Sequence, residues 1–446
     1  ETGRTTAHLV NALDERYYEL ERLHGERGAQ LAAESHSAAI DFIERVVQEE
    51  AIDCDFTRLD GFLFEPPTGD IEDLKRELAA CHRAGLGSVE MAQRAPLPFD
   101  TGPALRFPRQ GQFHPLKYLR GLASAIQRHG SIIYTHTHVC RIDGGEEPFV
   151  LTTTGSRVRA RAVVVATNTP VNDRVVLHTK QAAYRTYVLG FRLPKDSLPV
   201  GLYWDNNDPY HYIRLQQTSE ITGTGFDRLI VGGEDHKTGQ MENIDTPYAN
   251  LKRWVQERFP MVEEIDFRWS GQVLEPVDGL AFIGKNPLDE NVYICTGDSG
   301  NGMTHGTIAG MLLSTLINGQ ETEWEKLYDP RRRTLLAGGS FARENLNVAA
   351  QYTDWIKAGE TDMLESIRPC EGAVVRDGAA KRAAYKDDAG NLHACSAVCP
   401  HLGCIVRWNA NEKTWDCPCH GSRFDRFGSV INGPAINGLK PCPNPG

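Results

Sequence analysis

The stretches "CSAVCPHLGC", residues 395–404, and "CPCHGS", residues 417–422, gather thiols and imidazoles near the C-terminal end of a 446-residue chain. Cys399-x-His401 is followed, after 15 intervening residues, by Cys417-x-x-His420. Two thiolates and two imidazoles on two short loops suit either zinc or an iron–sulfur cluster. Seven of the eleven cysteines, Cys370, Cys395, Cys399, Cys404, Cys417, Cys419 and Cys442, lie in the last 77 residues. Cys54, Cys81, Cys140 and Cys295 are scattered, as cysteines serving only as small buried hydrophobes are.

The rest of the composition bounds the answer. At 40% hydrophobic residues the chain can fill two or three cores. No apolar run reaches the roughly 20 residues that a membrane helix needs, so no membrane span is expected. "RAVVVAT" and "IAGMLLSTLI" read instead as a buried strand and a core helix. A net charge of -11 argues against nucleic-acid binding, which depends on neutralising phosphates with Lys and Arg. From Pro369 onward nine Lys and Arg face seven Asp and Glu; of totals of 48 and 59, this leaves 39 against 52 before it. An acidic body with a near-neutral tail points to two units. The chain opens "ETGRTTAHLV", with neither Met nor signal peptide, and is expected to begin partway along a longer protein.

Residues 14–50 and "FHPLKYLRGLASAIQRHG" (113–130) show helical periodicity, the second ended by Gly130. "SIIYTHTHVCRI", "PFVLTTT" and "RVRARAVVVAT" read as successive strands, the last an apolar run of the kind covered on both faces. Residues 181–236, rich in aromatic and β-branched side chains, predict a separate antiparallel sheet. "YANLKRWVQERF" predicts a helix, and "NVYICTGDSGNGMTHGTIAGMLLSTLING" reads strand, Gly-rich turn, helix. A charged stretch with "DPRRR" and "AGGS" reads as a connector, ending near Ser366.

The pattern C-x-H-L-G-C with C-P-C-H-G-S resembles the Rieske iron–sulfur family, in particular the high-potential branch of cytochrome bc complexes. The resemblance implies that Cys399 and Cys417 bind one iron of a 2Fe-2S cluster and His401 and His420 the other. It also implies a disulfide between Cys404 and Cys419, and it matches "GSVINGPA" (428–435) to the loop that covers the cluster. Replacing two thiolates by imidazoles raises the potential, to roughly -150 to +300 mV. Ser422 stands where the family donates a hydrogen bond to a bridging sulfur. Phe424 replaces the Tyr of high-potential members, so a potential below theirs is expected.

Glycines 297, 300, 302 and 306 lie between a strand and a helix, where backbone N–H groups can approach a ligand. With "FHPLKYLRGLASAIQRHGSIIYTHTHV", "VVVATNTP" and, shortly before the turn, "EPVDGLAFIG", all in the order found in that family, residues 1 to about 320 resemble the D-amino-acid oxidase superfamily, in its glycine and sarcosine oxidase branch. The resemblance implies FAD, with Gly297, Asp298, Ser299, Gly300, Gly302, Met303 and Thr304 holding the flavin ring and ribityl chain. It places the Val139 backbone on the adenine, counts Ala166 and Thr167 among the FAD-binding residues, and puts Gly3, Arg4, Thr5 and Thr6 in the segment wrapping pyrophosphate and flavin. The family's G-x-G-x-x-G fingerprint is absent from these residues, and residues 263–294 hold no Cys for a covalent flavin link, so non-covalent FAD is expected.

Arg214, with Tyr203, Tyr212 and Trp269, is a candidate anchor for a substrate carboxylate. The plainer reading is a surface Arg and core aromatics. His305 is a candidate proton donor beside the flavin, and Thr304 stands where amine-oxidising relatives carry Lys. His136 and His138 share a strand face in "THTH", a possible metal pair whose plainer reading is strand filling. The expected architecture is an α/β FAD-binding domain, incomplete at its N-terminus, with an antiparallel-sheet substrate domain and a small all-β Rieske domain. Its bounds are 1–322 for the oxidoreductase body, with the substrate sheet around 181–270, 323–368 for the connector and 369–446 for the Rieske domain. The expected activity is oxidation of an amine or amino acid, with electrons passing from FAD through the cluster to an external acceptor. The rivals are the reversed current from an external donor and a non-enzymatic redox sensor or electron-transfer protein. A cytoplasmic location is expected; a disulfide shielded beside the cluster does not demand an oxidising compartment.

Overall fold

Leu20, Ala32, Ala39 and Ile43 recur at helical spacing and are all buried along Tyr17–Glu49 (α1). The computed structural model describes every residue except 67–68, 173–176, 218–224, 242, 288, 356–363, 379 and 443–446. Parts of the expected substrate sheet and connector therefore lie outside the described residues. α1 is interrupted at Gly25, whose φ of 74° lies in the left-handed region that favours glycine. Six further α-helices follow among the described residues: Ile71–Arg83 (α2), Pro115–Arg128 (α3), Asp245–Arg258 (α4), Gly302–Ile317 (α5), Trp324–Tyr328 (α6) and Gly338–Gln351 (α7). None is long and apolar enough to cross a membrane among the described residues.

The body is organised by a nine-stranded sheet. Its order is His8–Leu9, Ala104–Gln112, Thr57–Phe64, Leu202–Asp205, His211–Gln216, Phe226–Lys237, Gln181–Pro194 and Ile265–Pro276, with Glu90–Ala92 beside Ala104–Gln112. The sheet expected to stand apart at 181–236 is thus joined to earlier strands. Leu202–Asp205 pairs in parallel with Thr57–Phe64, and Ile265–Pro276 extends the far edge antiparallel to Gln181–Pro194. α4 covers one face of this sheet, where Leu251, Val255 and Phe259 join Phe191, Ile213 and Val231 in one core. A second core joins α1 and α5 through Leu20, Ala32, Ile308 and Leu312.

Two expected strands form differently. "SIIYTHTHVCRI" is extended only from Val139 to Asp143. Its first part forms no ladder among the described residues, leaving Ile132 72% and Tyr134 71% exposed. An alternating pattern makes a strand only where a neighbour takes its N–H and C=O groups. His136, at φ 51°, therefore shares no strand face with His138, whose Nε2 lies 3.0 Å from the Ile436 carbonyl. "RVRARAVVVAT" divides into Arg157–Arg159 and Val163–Val165, which belong to different sheets. Val164 is 44% exposed, so this strand is not covered on both faces.

The C-terminal region is antiparallel throughout. Glu371–Asp377, Ala380–Lys386 and Leu392–Ser396 form one sheet; Arg407–Asn409, Thr414–Asp416, Arg423–Asp425 and Val430–Asn432 form another. They enclose Trp415, Phe424, Val406 and Ala397, all nearly inaccessible to solvent. α7 connects the two regions: Val348 packs on this core, while Glu344 pairs with Lys237 of the large sheet at 2.5 Å.

Candidate functional site

The strand Leu392–Ser396 feeds one cysteine loop and Thr414–Asp416 feeds the other. Each loop closes the same way: Gly403 donates to the Cys399 carbonyl at 3.0 Å and Gly421 to that of Cys417 at 3.1 Å. A disulfide joins Cys404 to Cys419, with 6.4 Å between their Cα atoms, and so takes both out of the pool of metal ligands. Cys399 and Cys417 are buried. A hydrogen bond from Cys417 holds the Cys399 thiol below the usual range against the opposing effect of burial, helped by the His401 N–H, the Ser422 hydroxyl and the Leu402 N–H. Ser422 accepts from the Ala435 N–H at 3.1 Å, which fixes its oxygen and leaves its proton for the cysteine side. The His401 and His420 rings lie 4.9 Å apart. Burial, with His178 nearby, pushes His420 down to about 4, so it is the neutral imidazole that metal ligation requires. Two buried thiols, Cys399 held low and its partner Cys417 pushed up by the shared hydrogen bond and by burial, stand with the two imidazoles as a donor set that fits a mixed Cys₂His₂ cluster. Phe424, fully buried, offers this site no hydroxyl.

A second site opens in the body as a cavity of about 430 Å³, within the range of small-molecule pockets. The glycine turn forms one wall. Gly297 and Gly300 have φ of 73° and 72°, and a Cβ on Gly297 would lie 2.8 Å from Pro276 Cγ. The Ser299 N–H anchors the turn to the Leu274 carbonyl at 3.0 Å. α5 begins here, and Asn301 gives it no side-chain cap. Its first N–H groups, at Gly302 and Met303, therefore stand uncapped where these residues line the cavity. A glycine wall and an uncapped helix start fit the electron-rich end of a flavin. Burial pushes Asp298 up to about 6.

Of the residues expected at the flavin, Arg4, Thr5, Thr6, Ala166, Thr167, Gly297, Asp298, Gly300, Gly302 and Met303 line this cavity, as do Tyr212 and His305. Others are placed elsewhere. Gly3 faces a neighbouring groove, and Val139 lies in the strand Val139–Asp143 away from the cavity wall. Ser299 turns its hydroxyl to Glu275 at 2.6 Å, and Thr304 donates to the Asn301 carbonyl at 3.0 Å.

The expected carboxylate anchor is not assembled. Strand register pairs Tyr203 with Ile213 and Trp204 with Tyr212, so alternation turns Tyr203 to the face opposite Tyr212 and Arg214. Tyr203 instead stacks on Phe62. Arg214 is buried, not a surface residue, and donates to the carbonyls of Thr6 at 2.6 Å and Phe113 at 3.2 Å and to Gln216. It clamps the N-terminal segment. Trp269 donates to the Arg4 carbonyl at 2.8 Å. His305 is also committed: Nδ1 donates to the Asp298 carbonyl at 2.8 Å, and Nε2 lies 3.2 Å from His36 Nε2. Burial pushes His305 down to about 4, and it pins the turn as a neutral ring.

The cavity also takes residues that the sequence did not single out: His8, Asp14, Asn168, Tyr210 and Gln272. Asn168 belongs to "VVVATNTP" and His8 to "ETGRTTAHLV", and Gln272 stands just before "EPVDG", but no spacing rule in those stretches points to these three side chains. Tyr210 donates to Asp235 at 3.2 Å, and burial pushes that carboxyl up to about 7.

The two sites adjoin. Asn432, at the end of the strand Val430–Asn432, lines the cavity with the body residues. The His178 ring lies 4.7 Å from His401 and 5.9 Å from His420. Farther out, Glu412 meets Arg185 at 2.5 Å, Arg4 at 3.2 Å, and both Arg423 and Ser270. Burial alone would raise the Glu412 carboxyl; Arg185 and Arg423 outweigh it and hold it low.

Comparison with known proteins agrees with this geometry. Residues 1–316 match the family of FAD dependent oxidoreductases, and residues 354–443 match the Rieske [2Fe-2S] domain. YhfW of Bacillus subtilis (strain 168), named as a Rieske 2Fe-2S iron-sulfur protein, is 33% identical over 442 residues, 98% of this chain and 85% of its own. The cytochrome b6-f complex iron-sulfur subunit of Synechococcus sp. (strain WH7803) is 30% identical over 138 residues, covering 30% of this chain and 70% of that one. Glycine oxidase from Geobacillus kaustophilus shares the fold of the body, with a TM-score of 0.60 and 19% identity over 74% of this chain and 88% of that one. The chain therefore belongs to the FAD dependent oxidoreductase family and carries a Rieske domain, with FAD and a 2Fe-2S cluster as its cofactors.

Proposed function

We propose that this oxidoreductase is a dehydrogenase that oxidises an amine or amino acid and delivers the electrons, through its cluster, to an external acceptor. The observation that carries this reading is Asn432, a residue of the Rieske region in the wall of the flavin cavity. When bound, FAD supplies a two-electron acceptor for substrate and the cluster supplies one-electron storage. Cys399, Cys417, His401 and His420 would hold the cluster, and the Gly297–Met303 turn with Arg4, Thr5, Thr6, Ala166 and Thr167 would hold the flavin. Tyr210 and Tyr212 shape the side of the cavity facing the sheet. Arg4, the one guanidinium lining the cavity among the described residues, is already held by Glu412 and the Ser270 carbonyl. That supports an amine over an amino acid anchored by its carboxylate.

The test mixes the anaerobic full-length protein with amines and amino acids, following flavin bleaching by absorbance and the cluster by electron paramagnetic resonance. Bleaching followed by a reduced-cluster signal is the expected result. A bleached flavin beside an oxidised cluster would overturn the reading, as would failure of every compound while an external donor reduces the cluster.

A further inference from the structure

Gln272 is buried in the strand Ile265–Pro276, and one face of it lines the flavin cavity. Its side-chain Nε2 donates to the Gly421 carbonyl at 3.1 Å. Gly421 directly follows His420, so a single hydrogen bond joins the cavity wall to the loop carrying a cluster imidazole. The Thr238 hydroxyl donates to Gln272 Oε1 at 3.4 Å, which orients the amide with its nitrogen toward Gly421. The approach is close. A Cβ on Gly421, whose φ is 77°, would lie 2.4 Å from Ala183 Cβ and 2.9 Å from Gln272 Nε2.

Other contacts hold the same loop without reaching the cavity. Gln240 donates to the Pro418 carbonyl at 3.1 Å, and His178 meets both imidazoles edge to face. Neither lines the cavity wall. Glu412, half-buried between Arg185 and Arg423, locks the module farther away. These contacts fix where the Rieske region sits; among the described residues, the Gln272 bond is the hydrogen bond that runs from the cavity wall to the His420 loop.

We infer that Gln272 is the positioning residue that holds the His420 loop against the flavin cavity, and that electrons cross between the two cofactors at its hydrogen bond to Gly421. The inference rests on the proposed wiring of flavin to cluster. With both cofactors bound, each crossing would move one electron from the reduced flavin to one ferric iron of the cluster, the flavin's proton passing to solvent, with no covalent bond made or broken in the protein.

The test photoreduces the flavin by laser flash in the anaerobic full-length holoprotein and follows cluster reduction by absorbance. Gln272→Glu and Gln272→Met remove the donor with little change of size, and either suffices if the other fails to fold. Misplacement by about an ångström costs up to a hundredfold in a positioned reaction, so a slowing of about tenfold or more is expected. Gln240→Leu, which loosens the loop without touching the bond, is expected to change the rate by less than about twofold. Amide hydrogen exchange across residues 417–422 of the oxidised holoprotein is expected to quicken in the Gln272 variants. Unchanged transfer, unchanged exchange, or equal slowing by Gln240→Leu would each overturn the inference. Absence of any flavin-to-cluster transfer in the unaltered protein would instead bring down the functional reading beneath it.

Discussion

The cluster loops and the flavin cavity are built on opposite plans. All four expected cluster ligands lie between Cys399 and His420, and the loops that carry them close on their own backbone. The cavity is gathered from segments as distant as Thr6, Thr167, Tyr212, Gln272 and Met303, none of which bears a local pattern complete enough to define it. A site made of turns can be recognised by its spacing. A site made of converging strands exists only after the sheet has chosen its register.

The sharpest separation of the two plans is Cys417→Ser in the full chain. It should abolish the reduced-cluster resonance while leaving the flavin absorbance in place; a surviving cluster signal would show that Cys417 is not a ligand. Glu412→Gln attacks the seam between them, leaving Arg185, 1% exposed, without its counter-charge. Breaking such a pair from one side costs roughly 3 kcal/mol, to be read from urea unfolding, and a cost below about 1 kcal/mol would show that other contacts hold the seam.

Acid should strain the body at Asp278. Burial opposes its ionisation, but Arg332, at 2.7 Å, and Thr334 hold it down to about 2. Its folded value is thus depressed. The stabilisation, about 2 kcal/mol, is present above the ordinary Asp value near 4 and is lost as pH falls through about 2. Urea midpoints between pH 5 and pH 2 should show this slope in the parent and not in Arg332→Met. The smallest effect is expected at the turn: Gly297→Ala places a side chain at φ 73° against Pro276. A strain of about 1 kcal/mol weakens flavin binding roughly fivefold, measured by titration, with the cluster signal unchanged.

Legibility differed in the same way. The strand, Gly-rich turn and helix from Val292 to Ile317 were readable because glycines must occupy positive φ and helix starts need free N–H groups. The anchor expected from Arg214, Tyr203, Tyr212 and Trp269 was not, because alternation across paired strands sends Tyr203 to the other face. Arg214 was misread for a related reason: its partners, Thr6 and Phe113, are far along the chain. His305 lines the cavity, but its bond to Asp298 and its contact with His36 depend on how α1 packs on α5.

What the sequence determined by itself was the chemistry that local backbone geometry enforces: the paired cysteine–histidine loops, the glycine turn and the helices whose apolar faces demand burial. Tertiary structure alone decided that the two sites adjoin, that Asn432 enters the cavity wall and that Gln272 reaches Gly421. Those contacts join residues more than a hundred positions apart, and long-range packing leaves no spacing rule in the chain.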